Sequence, residues 1–393
     1  MWETTRSKPL KTFLFLFTFL SDSISEMLHQ PFYDPEKTYE ENFQSGPFGA
    51  FSDGVVIENK GEPQYEFLGQ KVFSPFGIAA GPLINGKFAQ AALDKGFDIV
   101  VYKTVRTEKY PCHPWPNILA VKIPENMVLG KKDTKLVADK DFKEPLSITN
   151  SFGVPSWEPD FWQEDIKKIQ KNLRPGQVLV GAFQRTKKEG KGAEEYIRDF
   201  VRAAGLMKET GVNAMEVNFS CPNEGTSELL CYDVKRSGEV IRAIKEEIKD
   251  IPLVVKISYY NDSQNLEDFI KEVGPLVQGI SAINTIFSEI VGKDGKPALP
   301  GRTHSGVCGH GIKSAGLEMI GRLKKLREEF GLKYSIIGVG GVMSAEDFLE
   351  YRQAGADAVM SATGAMWNPY LAKEIKSRLE AEDPRLKSGE KLR

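Results

Sequence analysis

The sequence predicts a (β/α)₈, or TIM, barrel with an amino-terminal extension and a long insertion after the second strand. Three observations predict it. Short apolar or β-branched runs recur along the chain, and amphipathic charged stretches separate most of them. The chain has 393 residues, which leaves room for a barrel of about 250 residues with insertions. Strands that alternate with helices imply a parallel sheet, and the number of runs favours a closed barrel over an open one.

Taken in order, the runs are Phe76–Ala80, Ile99–Tyr102, Val178–Phe183, Ala214–Val217, Leu253–Ile257, Ile280–Ile283, Ser335–Gly338 and Ala358–Ser361. Ala193–Thr210, Val234–Lys249 and Leu317–Phe330 carry apolar residues at three- and four-residue spacing with Glu, Lys and Arg between, the pattern of helices packed on one face. The connection from Lys103 to about Gln163 is too long for a simple loop and holds Pro111, Pro114, Pro116, Pro145 and Pro155. Because barrel sites lie at the carboxyl ends of strands, it reads as an active-site insertion. The expected organisation is an extension over 1–70, a barrel over 71–385 and a polar tail over 386–393.

Hydrophobic residues make up 41% of the chain and charged residues 27%, ordinary globular values, and the formal net charge is −2. That balance offers no basic footprint for nucleic acid. The cysteines are Cys112, Cys221, Cys231 and Cys308, with no C-x-x-C pair, so no metal site of familiar spacing is expected. Few, scattered cysteines fit a reduced, cytoplasmic protein. Near the start, Arg6, Lys8 and Lys11 precede an apolar run from Thr12 to Leu20, far short of the roughly 20 residues a spanning helix needs. No small-residue cleavage site follows clearly, so a buried or membrane-touching helix is expected there rather than a cleaved signal.

Chemistry concentrates at the strand ends. The seventh strand runs into Gly338-Val339-Gly340-Gly341-Val342-Met343-Ser344, and the eighth into Ser361-Ala362-Thr363-Gly364. Paired glycines let backbone N–H groups approach a phosphate, and Ser344 can cap the helix that follows. Barrel phosphate sites are often built from these two loops. Asn218-Phe219-Ser220-Cys221-Pro222-Asn223 follows the fourth strand. Its amides donate and accept, which suits a uracil-like ring of alternating N–H and C=O groups, and a thiol can move a proton. Turn chemistry alone explains any one of Asn150, Asn218, Asn223 and Asn284; their joint placement at strand or loop ends does not. Lys103 and Lys256 each follow an apolar strand run, where an unpaired ammonium is costly.

Asn-x-Ser-Cys-Pro-Asn at Asn218–Asn223 resembles the dihydroorotate dehydrogenase family, in its soluble class 1 form with cysteine where the quinone-linked class carries serine. The resemblance spans Phe73 to the end of the eighth strand. It implies a barrel with FMN at its mouth. Ala79-Ala80-Gly81 resembles the segment lying against the flavin, Lys103 the lysine touching flavin and substrate, and Thr104 replaces a more usual serine beside it. Asn150-Ser151-Phe152-Gly153-Val154-Pro155 is similar to the family loop whose asparagine holds the substrate. Lys256 resembles the lysine beside flavin N1, and Asn284-Thr285 the pair on substrate and flavin. Gly309, Gly340, Gly341, Ala362 and Thr363 resemble FMN contacts.

The resemblance implies oxidation of dihydroorotate to orotate in pyrimidine (UMP) biosynthesis. Cys221 would act as base, Lys256 would aid the flavin, and Lys103, Asn150, Asn218, Asn223, Asn284 and Thr285 would hold substrate. The electron acceptor is a small molecule such as fumarate or a partner protein, and a homodimer is the expected assembly. The segments Asp294–Pro297 and Arg302–Gly309 look more like dihydropyrimidine dehydrogenase, whose catalytic cysteine resembles Cys231, so a uracil- or thymine-type reductase with Cys231 as base is the alternative. Asn223 favours dihydroorotate. The insertion Glu108–Lys143 is longer than the family's usual loop, and His113 within it has no assigned role. A dihydrouridine synthase would want a basic face and an RNA-binding tail. A non-catalytic barrel would not need a cysteine, two lysines and four asparagines at strand ends.

Overall fold

The computed structural model describes residues 28–124, 135–186, 192–220 and 229–382. The apolar run 12–20 and the polar tail lie outside the described residues, as do Cys221 and Asn223.

The elements follow in chain order. Helix α1 (Tyr39–Ser45) starts at Thr38, whose side chain and that of Glu41 form a reciprocal capping box. A hairpin of β1 (Tyr65–Phe67) and β2 (Gln70–Val72) leads into β3 (Phe76–Ile78), α2 (Gly86–Asp94) and β4 (Ile99–Val105). Then come β5 (Ala120–Lys122), β6 (Lys135–Asp139), β7 (Ser147–Asn150), α3 (Pro159–Asn172), β8 (Val178–Phe183) and α4 (Ala193–Lys208). After β9 (Ala214–Asn218) the chain forms α5 (Val234–Ile248), β10 (Leu253–Ile257), α6 (Ser263–Val273) and β11 (Gly279–Ala282). It continues through β12 (Ile286–Val291), β13 (His304–Gly309), α7 (Lys313–Glu329) and β14 (Ser335–Val339). It closes with α8 (Ala345–Ala354), β15 (Ala358–Ser361), α9 (Thr363–Trp367) and α10 (Leu371–Glu382).

Strands β3, β4, β8, β9, β10, β11, β14 and β15 pair in parallel and close into the expected (β/α)₈ barrel. Each reproduces one apolar run of the sequence to within about three residues at either end. Ile99, Val101, Val178, Val180, Ala214, Val254, Ile337 and Met360 fill the lumen, and Phe67 and Val72 of the hairpin join that cluster at its amino end. The opposite faces of the strands meet the helices in the main core. Phe32, Tyr33, Tyr39 and Phe51 are buried in that same core, and the Phe32 N–H donates to Met366 O at 3.0 Å. The chain before the hairpin is thus packed into the barrel's outer layer at Phe32, Tyr33, Tyr39 and Phe51, whereas residues 52–64 run along the surface.

The insertion after the second barrel strand is more ordered than its prolines suggest. Its strands β5, β6 and β7 join β12 and β13, from the connection after β11, in a second, five-stranded closed barrel. Leu119, Val121, Leu136, Ala138, Ile290, Leu299 and Val307 fill it. Strands β7 and β13 both end at the mouth of the main barrel, so the small barrel forms its roof.

Candidate active site

One cavity lies between the carboxyl ends of the barrel strands and the roof. Ala79, Ala80 and Gly81 form one wall beyond β3. The space beside Gly81 (φ 140°) is open, since a Cβ there would meet nothing within 4 Å.

Lys103 and Thr104 are consecutive residues of a strand, so their side chains should point to opposite faces. Both line the cavity, because the pairing of β4 with β8 shifts register between Tyr102 and Val105. Such an irregularity re-aims side chains, and it is common beside active sites. Both residues are buried.

The amide edge is tied together before any ligand arrives. Asn218 ends β9; its Nδ2 donates to Gln184 Oε1 at 2.8 Å, and its Oδ1 accepts from the Ser220 N–H at 3.2 Å. Asn284, just past β11, donates to Ser220 O and Oγ at 3.0 Å each, and its Oδ1 accepts the Thr285 N–H at 2.8 Å. Asn150 faces them from the roof at the end of β7. The loop that follows it is held by Arg106, a buried guanidinium that donates to Val154 O at 2.9 Å and Gly153 O at 3.2 Å. Asn117 adds a bond to Ser151 O at 2.9 Å. Gly153 lies against His113, whose imidazole would clash with any Cβ there, so His113 serves as packing for the loop. Burial holds that imidazole below the ordinary histidine range.

Lys256, at the cavity floor on β10, is 5% exposed, and Glu216 on the neighbouring strand is its ion-pair partner at 3.9 Å. The other end of the cavity is backbone. Gly340 (φ 127°) and Gly341 (φ 69°) follow β14, and Ala362, Thr363 and Gly364 follow β15. A Cβ on Gly341 would lie 2.6 Å from Lys313 Cβ, and one on Gly364 2.4 Å from Val342 O. Ser361 fastens the two turns by donating to Val342 O at 2.7 Å and accepting the Ala365 N–H at 2.9 Å. Ser344 caps α8 as its sequence suggests. The Met343 and Ser344 N–H groups, however, donate to Asp347, so the chain's own carboxylate already occupies this helix end. A bare-backbone cradle, a flat wall, two lysines and an amide edge fit a planar ligand that carries a phosphate, as FMN does.

Ala79, Ala80, Gly81, Lys103, Thr104, Asn150, Asn218, Lys256, Asn284, Thr285, Gly309, Gly340, Gly341, Ala362 and Thr363 all line this cavity. Cys231 does not. It is fully buried, its N–H donates to Phe219 O at 3.1 Å, its carbonyl accepts from Tyr260 Oη, and burial pushes its thiol up to about 12. The alternative base is therefore walled off from the ligand space. Sequence reasoning missed Gln184, Arg106, Tyr33 and Cys308. A polar residue directly after the third barrel strand was a usable signal for Gln184; Tyr33 and Cys308 line the cavity through tertiary packing alone.

The family model described as dihydroorotate dehydrogenase matches residues 139–382. A dihydroorotate dehydrogenase of Dictyostelium discoideum is 33% identical over 359 residues, covering 88% of this chain and 96% of the relative. A dihydroorotate dehydrogenase B (NAD(+)) catalytic subunit of Desulforamulus reducens is 32% identical over 242 residues, 60% of this chain and 72% of that one. The crystal structure of the Eimeria tenella enzyme in complex with ferulenol superposes with a TM-score of 0.65 at 16% identity, over 85% of this chain and 89% of its own. That likeness speaks to the fold.

Proposed function

This chain belongs to the dihydroorotate dehydrogenase family, and we propose that the cavity under the roof is where it works: FMN on the glycine turns and the Ala79–Gly81 wall, the dihydropyrimidine between flavin and amide edge. The protein is an oxidoreductase that converts dihydroorotate to orotate in pyrimidine biosynthesis, with FMN as cofactor. The observation that carries the site assignment is convergence. Asn150, Asn218 and Asn284 leave three different strand ends, and they meet Lys103 and Lys256 around one space.

FMN supplies the acceptor for the hydride leaving substrate C6. The chain's own residues do the rest. Asn218 and Asn284 are already hydrogen-bonded to Gln184 and Ser220, so their remaining polar capacity points the same way in every molecule, and orientation costs little on binding. Asn150 and Thr285 complete the hold on the ring, and Lys103 offers a cation to the substrate's carboxylate side. Asn223 joins the substrate set by family resemblance. Lys256 places positive charge at the cavity floor, where it favours negative charge on the flavin. Cys221 is the base for the C5 proton. In sequence it follows Ser220, a fully buried residue hydrogen-bonded to Asn218 and Asn284.

Burial of Cys231 weighs against the uracil-reductase alternative. The discriminating experiment is anaerobic flavin reduction with dihydroorotate, dihydrouracil and dihydrothymine in parallel. Rapid reduction by dihydroorotate alone is expected, and faster reduction by dihydrouracil would overturn the reading.

We propose that the acceptor is either a small molecule such as fumarate or a partner protein, since the chain carries no second cofactor motif. Steady-state oxidation of dihydroorotate with fumarate as sole acceptor decides between them. We also assign the enzyme to the cytoplasm as a homodimer, which fractionation and sedimentation test. No helix among the described residues is long and apolar enough to cross a membrane.

A further inference from the structure

On the reading that the flavin lies over Lys256, we propose that Glu216 is the counter-charge of that lysine, and that the pair, rather than the ammonium alone, sets the reduction potential of the bound flavin. Glu216 stands two positions before Asn218 on β9, so its side chain leaves the strand on the same inward face. The register aligns Asn218 with Lys256 and Glu216 with Val254. The carboxylate therefore starts one step deeper in the barrel than the ammonium. Their side chains are 2% and 6% exposed, and Glu216 Oε1 lies 3.9 Å from Lys256 Nζ.

That separation is ion-pair range and too long for a hydrogen bond. Among the described residues Glu216 Oε1 accepts no hydrogen bond at all, and Ser281 Oγ, on the strand position paired with Lys256, is likewise without a partner. The lumen next to Glu216 is otherwise packed with residues such as Ala214 and Val254. A carboxylate in such a place is costly to bury, and packing alone calls for another valine or alanine. Charge is the property it adds. Lys256 lines the cavity and Glu216 does not, so a ligand on the floor meets the positive end of a dipole with the negative end behind it. The ammonium favours extra negative charge on the ring, the carboxylate opposes it from further off, and the potential reflects the difference.

The test uses the full-length, FMN-loaded protein and reads the flavin midpoint potential together with the FMN dissociation constant. E216Q keeps the shape, removes the negative charge and should raise the potential. K256M should lower it. The double variant E216Q/K256M should fall between K256M and the parent, because the nearer charge weighs more. The expected K256M shift is about tenfold in the ratio of reduced to oxidised flavin, about 30 mV for a two-electron couple, and the E216Q shift is opposite in sign and smaller. If K256M lowers the potential while E216Q leaves it unmoved or lowers it, the inference falls and the flavin placement stands. If neither moves it, both fall. Should E216Q fail to fold, E216Q/K256M leaves no unpaired charge in the lumen; a potential equal to that of K256M then overturns the inference.

Discussion

Arg106 donates from Nε to the carbonyl oxygen of Val154 at 2.9 Å, and Val154 holds a φ of +54°. A β-branched residue in that region is strained by about 1–3 kcal/mol and persists only where its surroundings over-determine it. The same guanidinium also donates to Arg185 O at 2.6 Å, so one buried side chain binds the end of β8 to the loop carrying Asn150.

Arg106→Met is therefore expected to release the loop. KM for dihydroorotate should rise about tenfold or more with FMN content unchanged, and stability should fall by about 1.5–3 kcal/mol for the lost charge-assisted bonds. Steady-state kinetics and urea unfolding of the same preparation check this; an unchanged KM would detach Arg106 from substrate binding.

Cys221→Ser should slow flavin reduction by about 10²–10⁴-fold and move its pH dependence upward, because a hydroxyl gives up its proton less readily than a thiol. Cys231→Ser should leave the rate alone and affect stability instead. Burial raises that thiol in the folded protein from about 9 to about 12. A raised folded value means the stabilising difference is complete below about pH 9 and is lost as pH climbs toward 12, because the unfolded thiol ionises first. Part of the alkaline destabilisation should vanish in Cys231→Ser, as denaturant titrations between pH 8 and 11 would reveal.

Gly341→Val should abolish FMN retention. The new Cβ would stand 2.6 Å from Lys313 Cβ on a backbone at φ 69°, so side chain and backbone both resist. Flavin absorbance of the purified variant, before and after reconstitution, is the readout; full FMN occupancy would move the phosphate elsewhere.

Removing residues 1–27 should preserve FMN content and turnover, whereas removal through 64 should not. The longer cut strips Phe32, Tyr39 and Phe51 from the core, and it takes away Tyr33, which lines the cavity and whose hydroxyl has no hydrogen-bond partner among the described residues. Each large core side chain lost costs about 3–5 kcal/mol. A soluble, flavin-loaded chain beginning at Tyr65 would show that the extension is dispensable.

Parallel barrel strands are buried on both faces, so Val178–Phe183 or Ile99–Tyr102 announce themselves as unbroken apolar runs. The strand-end amides and lysines were legible for the same reason: polar residues stand out where such a run stops. The roof was not. Strand β5 is three residues long, β6 alternates buried and exposed positions, and prolines crowd around both. What makes them strands is pairing with partners far away in sequence, Leu136 beside Ile290 for example. Lys103 and Thr104 face one way through an irregularity that no two-residue period foretells. Glu216 was readable as a charge inside an apolar strand, but its meaning depends on the 3.9 Å to Lys256.

The roof also imposes an order on synthesis. Strand β6 leaves the ribosome long before β12, its parallel neighbour, and the small barrel closes only once β13, ending at Gly309, has been made. Until then β6 and β7, on either side of β5, present unpaired edges and an unfilled apolar interior, the kind of surface that invites association with other nascent chains. Contacts between segments so distant in sequence also form slowly. Strands β7 and β13, which both end at the cavity, thus reach their final pairing late, and a chain arrested before β13 would carry six of the eight main strands, β3, β4, β8, β9, β10 and β11, beneath a roof still open.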